Sequence, residues 1–369
     1  MSKKIYFTQE IYGWIVCLVA ALFCFYEFTQ LTMFNAINTQ LMQDLHVTAT
    51  ELGYISSAYL FANLLFMLPA GIILDCYSTK KLIIIAMIIC IIGTLIFSFA
   101  NNIYIAILGR FFTGIGGAFP FLSCLRLATC WIPKKRLSLA TGLIVTIMMS
   151  GGIAGQIPMT FLVNHFSWHI TLRIDAIVGV CFLILIMIFI KDKPLLTVQT
   201  KQKYKNNVNL KDVLNNKINW LLGLYTAFLN LPLMLLGSIW GSLFLMQVYK
   251  LNALHASYIT SMIFLGTIIG SPIVGCITDI FAKPKEIMLL CAAVSLFLIV
   301  IIIYSHIHAF WFLFITFFLL GISTSGQILS YPVIASKNNI ENSGAALGLA
   351  SVLIMGIATI SQPLFGIVM

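Results

Sequence analysis

The sequence predicts an all-α membrane protein built from two bundles of helices, and three observations predict it. The chain of 369 residues is 60% hydrophobic and 9% charged, with a mean hydropathy of +1.03. Apolar spans of about 20 residues, the length that a transmembrane helix needs, recur along the whole chain. The sequence around Gly71–Asp75 also returns 204 positions later around Gly275–Asp279, which indicates two copies of one unit.

Helices are the predicted spanning elements, because in lipid only helices and closed β-barrels satisfy the backbone. Barrel strands alternate apolar and polar residues, whereas runs such as Leu82–Phe97 do not alternate. A soluble domain would carry about 25% charged residues, far more than this chain has. The predicted helices, eleven in all, have the approximate ranges 12–36, 52–74, 82–99, 103–131, 138–163, 170–190, 218–248, 256–280, 287–304, 307–332 and 342–367.

The basic residues predict the topology. The net charge is +10, and 17 of the 21 Lys and Arg residues fall on one side of the predicted helices, with Lys250 alone on the other. Positive residues mark the cytoplasmic side, so the N-terminus is predicted to lie inside. The excess of positive charge then reflects topology rather than nucleic-acid binding. With a residue usage typical of bacteria, we expect a multi-pass protein of the bacterial inner (plasma) membrane.

The repeat also predicts the domains. Residues 1–190 are expected to form an N-terminal bundle of six helices, 191–217 a basic cytoplasmic linker, and 218–369 a C-terminal bundle of five. Gly114 in helix four matches Gly321 in helix ten, 207 positions later. Parallel repeats of this kind occur in one class of transporters. A counterpart of helix six would begin at about position 376, so the twelfth helix is expected to be missing from this chain.

Two short motifs carry a family resemblance. Helix four contains Arg110-x-x-x-Gly114, which resembles the R-x-x-x-G motif of the major facilitator superfamily. The family's loop between helices two and three reads G-x-x-x-D-x-x-G-R-[RK], and the loop here reads Gly71-x-x-x-Asp75-Cys76-Tyr77-Ser78-Thr79-Lys80-Lys81. Ser78 replaces the usual Gly, and Thr79 replaces a usual basic residue. Because the motifs agree in order, spacing and duplication, the resemblance covers essentially the whole chain and implies the family's fold of two six-helix bundles.

The duplicated loop is a candidate gate. The resemblance implies that this loop latches the two halves in the outward-open state. A carboxylate at a cytoplasmic helix end can accept hydrogen bonds from a neighbouring helix N-terminus and pair with lysines, and a glycine allows another helix to approach closely. The alternative is an ordinary interfacial acid beside cytoplasmic lysines. The candidate gating residues are Gly71, Asp75, Lys80, Lys81, Gly275, Asp279 and Lys283.

Charged residues inside the membrane are candidates for function, because each costs at least about 2.5–3.5 kcal/mol there. Glu27 and Arg110 lie at similar predicted depths, about 15 and 10 Å from the outer helix ends. We expect them to form a pair or to share a water-filled site, in which protonation of Glu27 couples proton movement to substrate binding. A fixed structural ion pair is the alternative. Gln30 lies on the same helix face as Glu27, whereas Arg173 and Asp175 are expected to reach the outer interface.

In the second half the candidate cavity residues are uncharged. The family lines its cavity mainly with helices one, four, seven and ten, and the resemblance implies the same arrangement here. Asn230 and Tyr225 of helix seven and Gln327 and Tyr331 of helix ten are therefore expected to contact substrate.

Helix five bears on the direction of transport. Drug-proton antiporters of the family carry the motif G-x8-G-x3-G-P in this helix. The chain has Gly142, Gly151 and Gly155 at the right spacings, but Gln156 stands where Pro is expected and Pro158 follows two positions later. This partial signature leaves uptake and export both open.

These observations predict a secondary transporter that exposes a midplane site alternately to each side of the membrane. The sequence has no Walker A motif, so ATP is not expected to be the direct energy source. No cofactor, metal site or enzymatic activity is expected. We predict proton-coupled uptake of a small polar nutrient, such as an amino acid, by a monomer. The alternatives are a proton-coupled exporter of drugs or metabolites and, from another class, a non-transporting membrane receptor.

Overall fold

The computed structural model places helices where the sequence predicts them. It describes residues 2–133, 136–191, 210–281, 283–305, 307, 309–338 and 340–368. Within these ranges, ten helical stretches are long and apolar enough to cross a membrane, and each coincides with one of the predicted spans. The remaining predicted span, 52–74, is also helical and forms part of Ala49–Cys76.

The helices of the first part of the chain have the following bounds. They are α1 (Ser2–Thr32), α2 (Phe34–Leu45), α3 (Ala49–Cys76), α4 (Thr79–Ser98), α5 (Ile103–Gly117), α6 (Pro120–Trp131), α7 (Leu137–Ala154), α8 (Ile157–His165) and α9 (Trp168–Phe189). The later helices are α10 (Leu210–Asn215), α11 (Lys217–Pro232), a π-helical segment (Leu233–Trp240), α12 (Gly241–Val248), α13 (Ala253–Phe281), α14 (Pro284–Tyr304), α15 (Phe310–Thr324), a 3₁₀ segment (Ser325–Leu329), α16 (Ser330–Lys337) and α17 (Ile340–Val368).

Several helices that the sequence predicts as continuous are interrupted. Helix four breaks between α5 and α6, where Pro120 begins the second part, and helix five breaks between α7 and α8, where Pro158 lies in the first turn. Proline lacks the N–H that would continue the helical ladder, so a new helix begins there. In helix seven, Pro232 is followed by the π-helical segment. The predicted uninterrupted ranges are wrong at these points.

The predicted end of helix one at residue 36 is wrong as well. After a turn at Met33, α2 continues to Leu45, and its buried residues include Phe34, Ile37 and Leu41. These residues recur every three to four positions, which is the pattern of a helix with one buried face. The polar residues between them obscured this face in the hydropathy pattern.

The chain divides into two compact units, Met1–Leu195 with Gln362–Met369 and Leu196–Ser361. Residues 192–209 of the predicted linker lie outside the described part of the chain, and its end contains the short helix α10. Large apolar side chains remain exposed on the spanning helices, for example Leu290 (63%) and Phe297 (63%) of α14. Such faces suit lipid, since lipid tails are as apolar as these side chains.

A close helix contact recurs in both units and supports the duplication. In the first unit, a Cβ built on Gly114 of α5 would lie 2.3 Å from the main-chain oxygen of Tyr59 in α3. In the second unit, a Cβ on Gly321 of α15 would lie 2.2 Å from the main-chain oxygen of Ile263 in α13. The two glycines match at the repeat offset of 207, and Tyr59 and Ile263 match at the offset of 204. Each unit therefore packs its second predicted helix against its fourth at the same place.

Candidate functional site

Glu27 and Arg110 lie in the first unit, and the ring of Tyr59 contacts both. The Tyr59 hydroxyl donates a hydrogen bond to Glu27 Oε1, and the Arg110 Cζ lies 4.6 Å from the centroid of the Tyr59 ring. The two charged groups make no direct ion pair among the side chains that the structure describes. The shared water-filled site expected around Glu27 and Arg110 stays a prediction.

Arg110 is fully buried and only partly satisfied. Its guanidinium faces the aromatic rings of Phe34 at 4.8 Å and Phe97 at 6.0 Å, so cation–π attraction stabilises the charge. Nη1 donates to the main-chain oxygen of Gln30 at 2.8 Å. Nε and Nη2 are buried and have no hydrogen-bond acceptor within the described residues. An unsatisfied buried donor costs about 1–3 kcal/mol, so a hydrogen-bond acceptor placed at these N–H groups would stabilise the site.

Gln30 joins Arg110 to a second carboxyl group that sequence reasoning placed wrongly. Its Nε2 donates to Asp175 Oδ2, and both side chains are buried, Asp175 at 2% exposure. Asp175 therefore does not reach the outer interface, whereas Arg173 does remain exposed, with its Cζ 4.4 Å from the Phe99 ring centroid. The signal that was missed is periodicity. Asp175 shares a face of α9 with the buried residues Trp168, Leu172, Ala176 and Gly179.

The glycines of helix five hold α1 close to α7. A Cβ on Gly151 would lie 2.2 Å from the main-chain oxygen of Phe25, which leaves no room for any side chain at that position. Thr29 Oγ1 donates to the Gly151 oxygen at 3.1 Å. Gln156, which stands where antiporters have Pro, is fully buried and donates through Nε2 to the Thr32 oxygen at 3.3 Å. The partial motif therefore positions the helix that carries Glu27.

In the second unit, two of the predicted residues contact each other. Asn230 Nδ2 donates to Gln327 Oε1 at 2.5 Å. Asn230 Oδ1 is buried and accepts no hydrogen bond from the described part of the chain. Asn230 lies three residues before the π-helical segment, and Gln327 lies inside the 3₁₀ segment. Such irregular segments are frequent at functional sites because they redirect side chains. Pro232 was the sequence signal for the first of them.

The two tyrosines of the predicted second-half cavity differ in role. The Tyr225 hydroxyl donates to the main-chain oxygen of Met288 at 3.0 Å and so joins α11 to α14. Tyr331 is partly buried on α16, one turn beyond Gln327. Its contact with substrate stays a prediction.

The predicted gating residues are described only in part. The side chains of Asp75 and Asp279 lie outside the described side chains, so their pairing is not tested. Lys80 Nζ donates to the Met187 oxygen at 2.7 Å. Lys283 pairs with Glu286 at 3.2 Å, and both are exposed.

The loop of the first candidate gate also caps the next helix. Ser78, which replaces the family's glycine, accepts a hydrogen bond from the Lys81 main-chain N–H at 3.2 Å and so caps α4. Within the described part of the chain, a Cβ on Gly71 or on Gly275 would meet no heavy atom within 4 Å. The close helix approach expected at Gly71 is therefore not seen among these residues.

The comparison with known families agrees with this architecture. The sequence model of the Major Facilitator Superfamily matches residues 17–363. The chain belongs to the Major Facilitator Superfamily. Its all-helical fold and its spanning helices are those of a multi-pass transporter family, as the sequence predicted.

This member of the Major Facilitator Superfamily is similar to known transporters in sequence and in fold. It is 26% identical over 261 residues to the uncharacterized transporter YybO of Bacillus subtilis, across 64% of this chain and 58% of that protein's length. It is 24% identical over 379 residues to the lysosomal dipeptide transporter MFSD1 of Mus musculus, across 93% of this chain and 78% of that protein. The crystal structure of a bacterial homolog to the human lysosomal transporter Spinster, inward-facing and occupied, has a TM-score of 0.74 at 16% identity. That match covers 94% of this chain and 80% of the other, and it shows the shared fold.

Proposed function

We propose that this protein is a proton-coupled transporter that takes up a small polar nutrient bearing a carboxylate, such as an amino acid, by alternating access. The observation that carries the proposal is Arg110, a buried guanidinium with two unsatisfied nitrogen donors, joined through Tyr59 to the partly buried carboxyl group of Glu27. Buried charges inside a membrane protein mark substrate and proton pathways. A guanidinium with free N–H groups suits a planar carboxylate, which it binds through paired hydrogen bonds.

Glu27 supplies the coupling. An ionised Glu27 and an anionic substrate compete for the positive charge of Arg110. When Glu27 takes up a proton, this competition ends, so the proton and the substrate bind together and are released together. The same site predicts the opposite coupling for a cationic substrate, because a cation would replace the proton at Glu27 rather than accompany it. The charge of the substrate therefore sets the direction of transport.

The second unit, the duplicated loops and the basic residues complete the proposed transporter. Asn230 and Gln327 form an amide pair that offers neutral hydrogen-bonding groups for a polar substrate, and Tyr331 adds a phenol. The duplicated loops at Gly71–Asp75 and Gly275–Asp279 act as gates. The placement of the basic residues supports a cytoplasmic N-terminus in a bacterial inner membrane, and we propose a monomeric transporter.

A substrate screen followed by a flux measurement tests this function. Purified protein is heated with amino acids, dipeptides, organic acids and sugars in turn, and the compounds that raise its unfolding temperature are taken forward. Dipeptides are included because the relative from Mus musculus is a lysosomal dipeptide transporter. In proteoliposomes loaded with a pH-sensitive dye, symport predicts that protons enter with the compound. Protons that leave as it enters would favour the exporter, and binding without any flux would favour the receptor.

A further inference from the structure

Asp175 is a second buried carboxyl group in the first unit, and the proposed coupling at Glu27 does not use it. Its α9 helix packs against α4 and α1 and touches α8 and α2. The titratable groups that face Asp175 are the Tyr26 phenol of α1 and the Cys90 thiol of α4. No Lys, Arg or His pairs with it among the described side chains.

Four other charged or titratable groups of the surrounding helices contact other partners. On its own helix, Arg173 is exposed over Phe99, and His169 Nδ1 contacts the Ser98 oxygen at 2.8 Å. On α8, His165 Nδ1 contacts the Phe161 oxygen at 2.8 Å. On α2, Asp44 accepts a hydrogen bond from the Trp168 indole at 2.7 Å. Within the described part of the chain, the carboxyl group of Asp175 is therefore buried without a compensating cation.

The side-chain amide of Gln30 has one acceptor atom that lacks a hydrogen-bond donor. Gln30 Nε2 donates to Asp175 Oδ2, but Oε1 of the same amide is buried and makes no hydrogen bond of acceptable geometry in the described part of the chain. An ionised carboxylate only accepts hydrogen bonds, whereas a carboxylic acid also donates one. A proton on Asp175 would give Gln30 Oε1 the donor that it lacks. It would also remove an uncompensated buried charge, which is otherwise costly.

We propose that Asp175 is a second proton-binding site, whose protonated carboxyl group forms a two-bond acid–amide pair with Gln30. In this pair Nε2–H donates to the carboxyl C=O, and the carboxyl O–H donates to Oε1. When the proton leaves for water, the first bond remains and the second is lost. The main-chain oxygen of Gln30 accepts from Arg110 Nη1, so the same residue contacts Asp175 and Arg110. Proton binding at Asp175 stands on this geometry alone, and only its effect on transport rests on the proposed function.

Infrared spectroscopy tests the site without a substrate. Full-length protein in lipid nanodiscs is titrated with acid and base, and the carbonyl stretching band of protonated carboxyl groups is followed in wild type and in Asp175→Asn. We expect a band in wild type that Asp175→Asn lacks and that the exposed control Asp212→Asn retains. Identical spectra for wild type and Asp175→Asn across the pH range would show that Asp175 stays ionised, which overturns the proposal.

A second variant keeps the test decisive if Asp175→Asn fails to fold. Gln30→Met keeps the Asp175 carboxyl group but removes the amide, so its band should move to the frequency of a less hydrogen-bonded acid. An unmoved band would contradict the acid–amide pair. Glu27→Gln separates the two proposals, because it should abolish proton-coupled flux and leave the Asp175 band in place. Coupled flux that persists in Glu27→Gln, with the Asp175 band still in place, would count against Glu27 and not against Asp175. Loss of the band in Glu27→Gln would contradict its assignment to Asp175.

Discussion

Tyr59 donates a hydrogen bond to Glu27, and the same ring lies against the guanidinium of Arg110. One neutral side chain thus contacts both charged residues that the sequence marked as candidates. The contact depends on Gly114, whose missing side chain lets α5 approach the main chain of Tyr59. The two residues of the R-x-x-x-G motif, one helical turn apart on α5, therefore have different roles. Arg110 supplies a buried charge, and Gly114 allows α5 to pack closely against α3.

Tyr59→Phe should change the pH dependence of uptake. A hydrogen bond to a charged group contributes about 1.5–3 kcal/mol. Without it the ionised form of Glu27 is less stable, so the pH of half-maximal uptake should rise by about 1–2 units. The matched control is Tyr12→Phe, which likewise removes a phenol hydrogen bond to a main-chain oxygen, that of Phe189. A pH profile that is the same in both variants would contradict the role of Tyr59.

Arg110→Lys should abolish uptake although the positive charge remains. A lysine cannot offer the planar array of N–H groups, nor face three rings as the guanidinium does. We expect substrate binding to weaken by at least about tenfold, since charged hydrogen bonds contribute about 1.5–3 kcal/mol each. Arg173→Lys is the control, because Arg173 is exposed outside this cluster. Uptake at the wild-type level in Arg110→Lys would show that only charge matters there.

Gly114→Ala should destabilise the protein, because the new Cβ would lie 2.3 Å from a main-chain oxygen. Overpacking of this kind costs about 1–3 kcal/mol. Gly142→Ala provides the control, since a Cβ at Gly142 meets no heavy atom of the described residues within 4 Å. The unfolding temperature in detergent should fall for the first variant and hold for the second. Equal unfolding temperatures for the two variants would mean that α5 and α3 can move apart without loss of stability.

The N-terminus of α3 predicts an acid-sensitive contribution to stability. The Thr48 main-chain N–H and Oγ1 donate to Glu51 Oε2 at 2.8 and 2.9 Å, one residue before the predicted span. These bonds favour the carboxylate and lower the pKa of Glu51 from its usual 4.5. A lowered folded-state pKa means that the contribution is present above 4.5 and is lost as the pH falls through the lowered value.

Thr48→Ala should cost about 0.5–2 kcal/mol at neutral pH, as N-cap replacements do. The loss should shrink below pH 4.5, where the wild type loses its charged bonds as well. Thr50→Ala, two residues along the same turn, serves as the control. Unfolding temperatures measured at neutral and acid pH check this, and a loss that stays constant with pH would exclude the Glu51 contribution.

The sequence predicted the spanning helices well, because apolar length is a local property. The predicted ranges did not include the breaks, although Pro120, Pro158 and Pro232 mark three of these places in the sequence. At the site, Glu27 and Arg110 were found by their charge inside apolar runs. Tyr59 gave no such signal, because a tyrosine is common in membrane helices and its partners come from distant helices. Asp175 was misplaced because its position near a helix end outweighed its buried face.

The most direct test of the account is proton flux through Glu27→Gln in proteoliposomes. The wild type and the variant are compared with the same screened substrate under an imposed pH gradient, and counterflow exchange without a gradient reports substrate binding. The account predicts that Glu27→Gln retains exchange but loses both proton entry and gradient-driven accumulation. Proton entry and accumulation at wild-type levels in Glu27→Gln would contradict it.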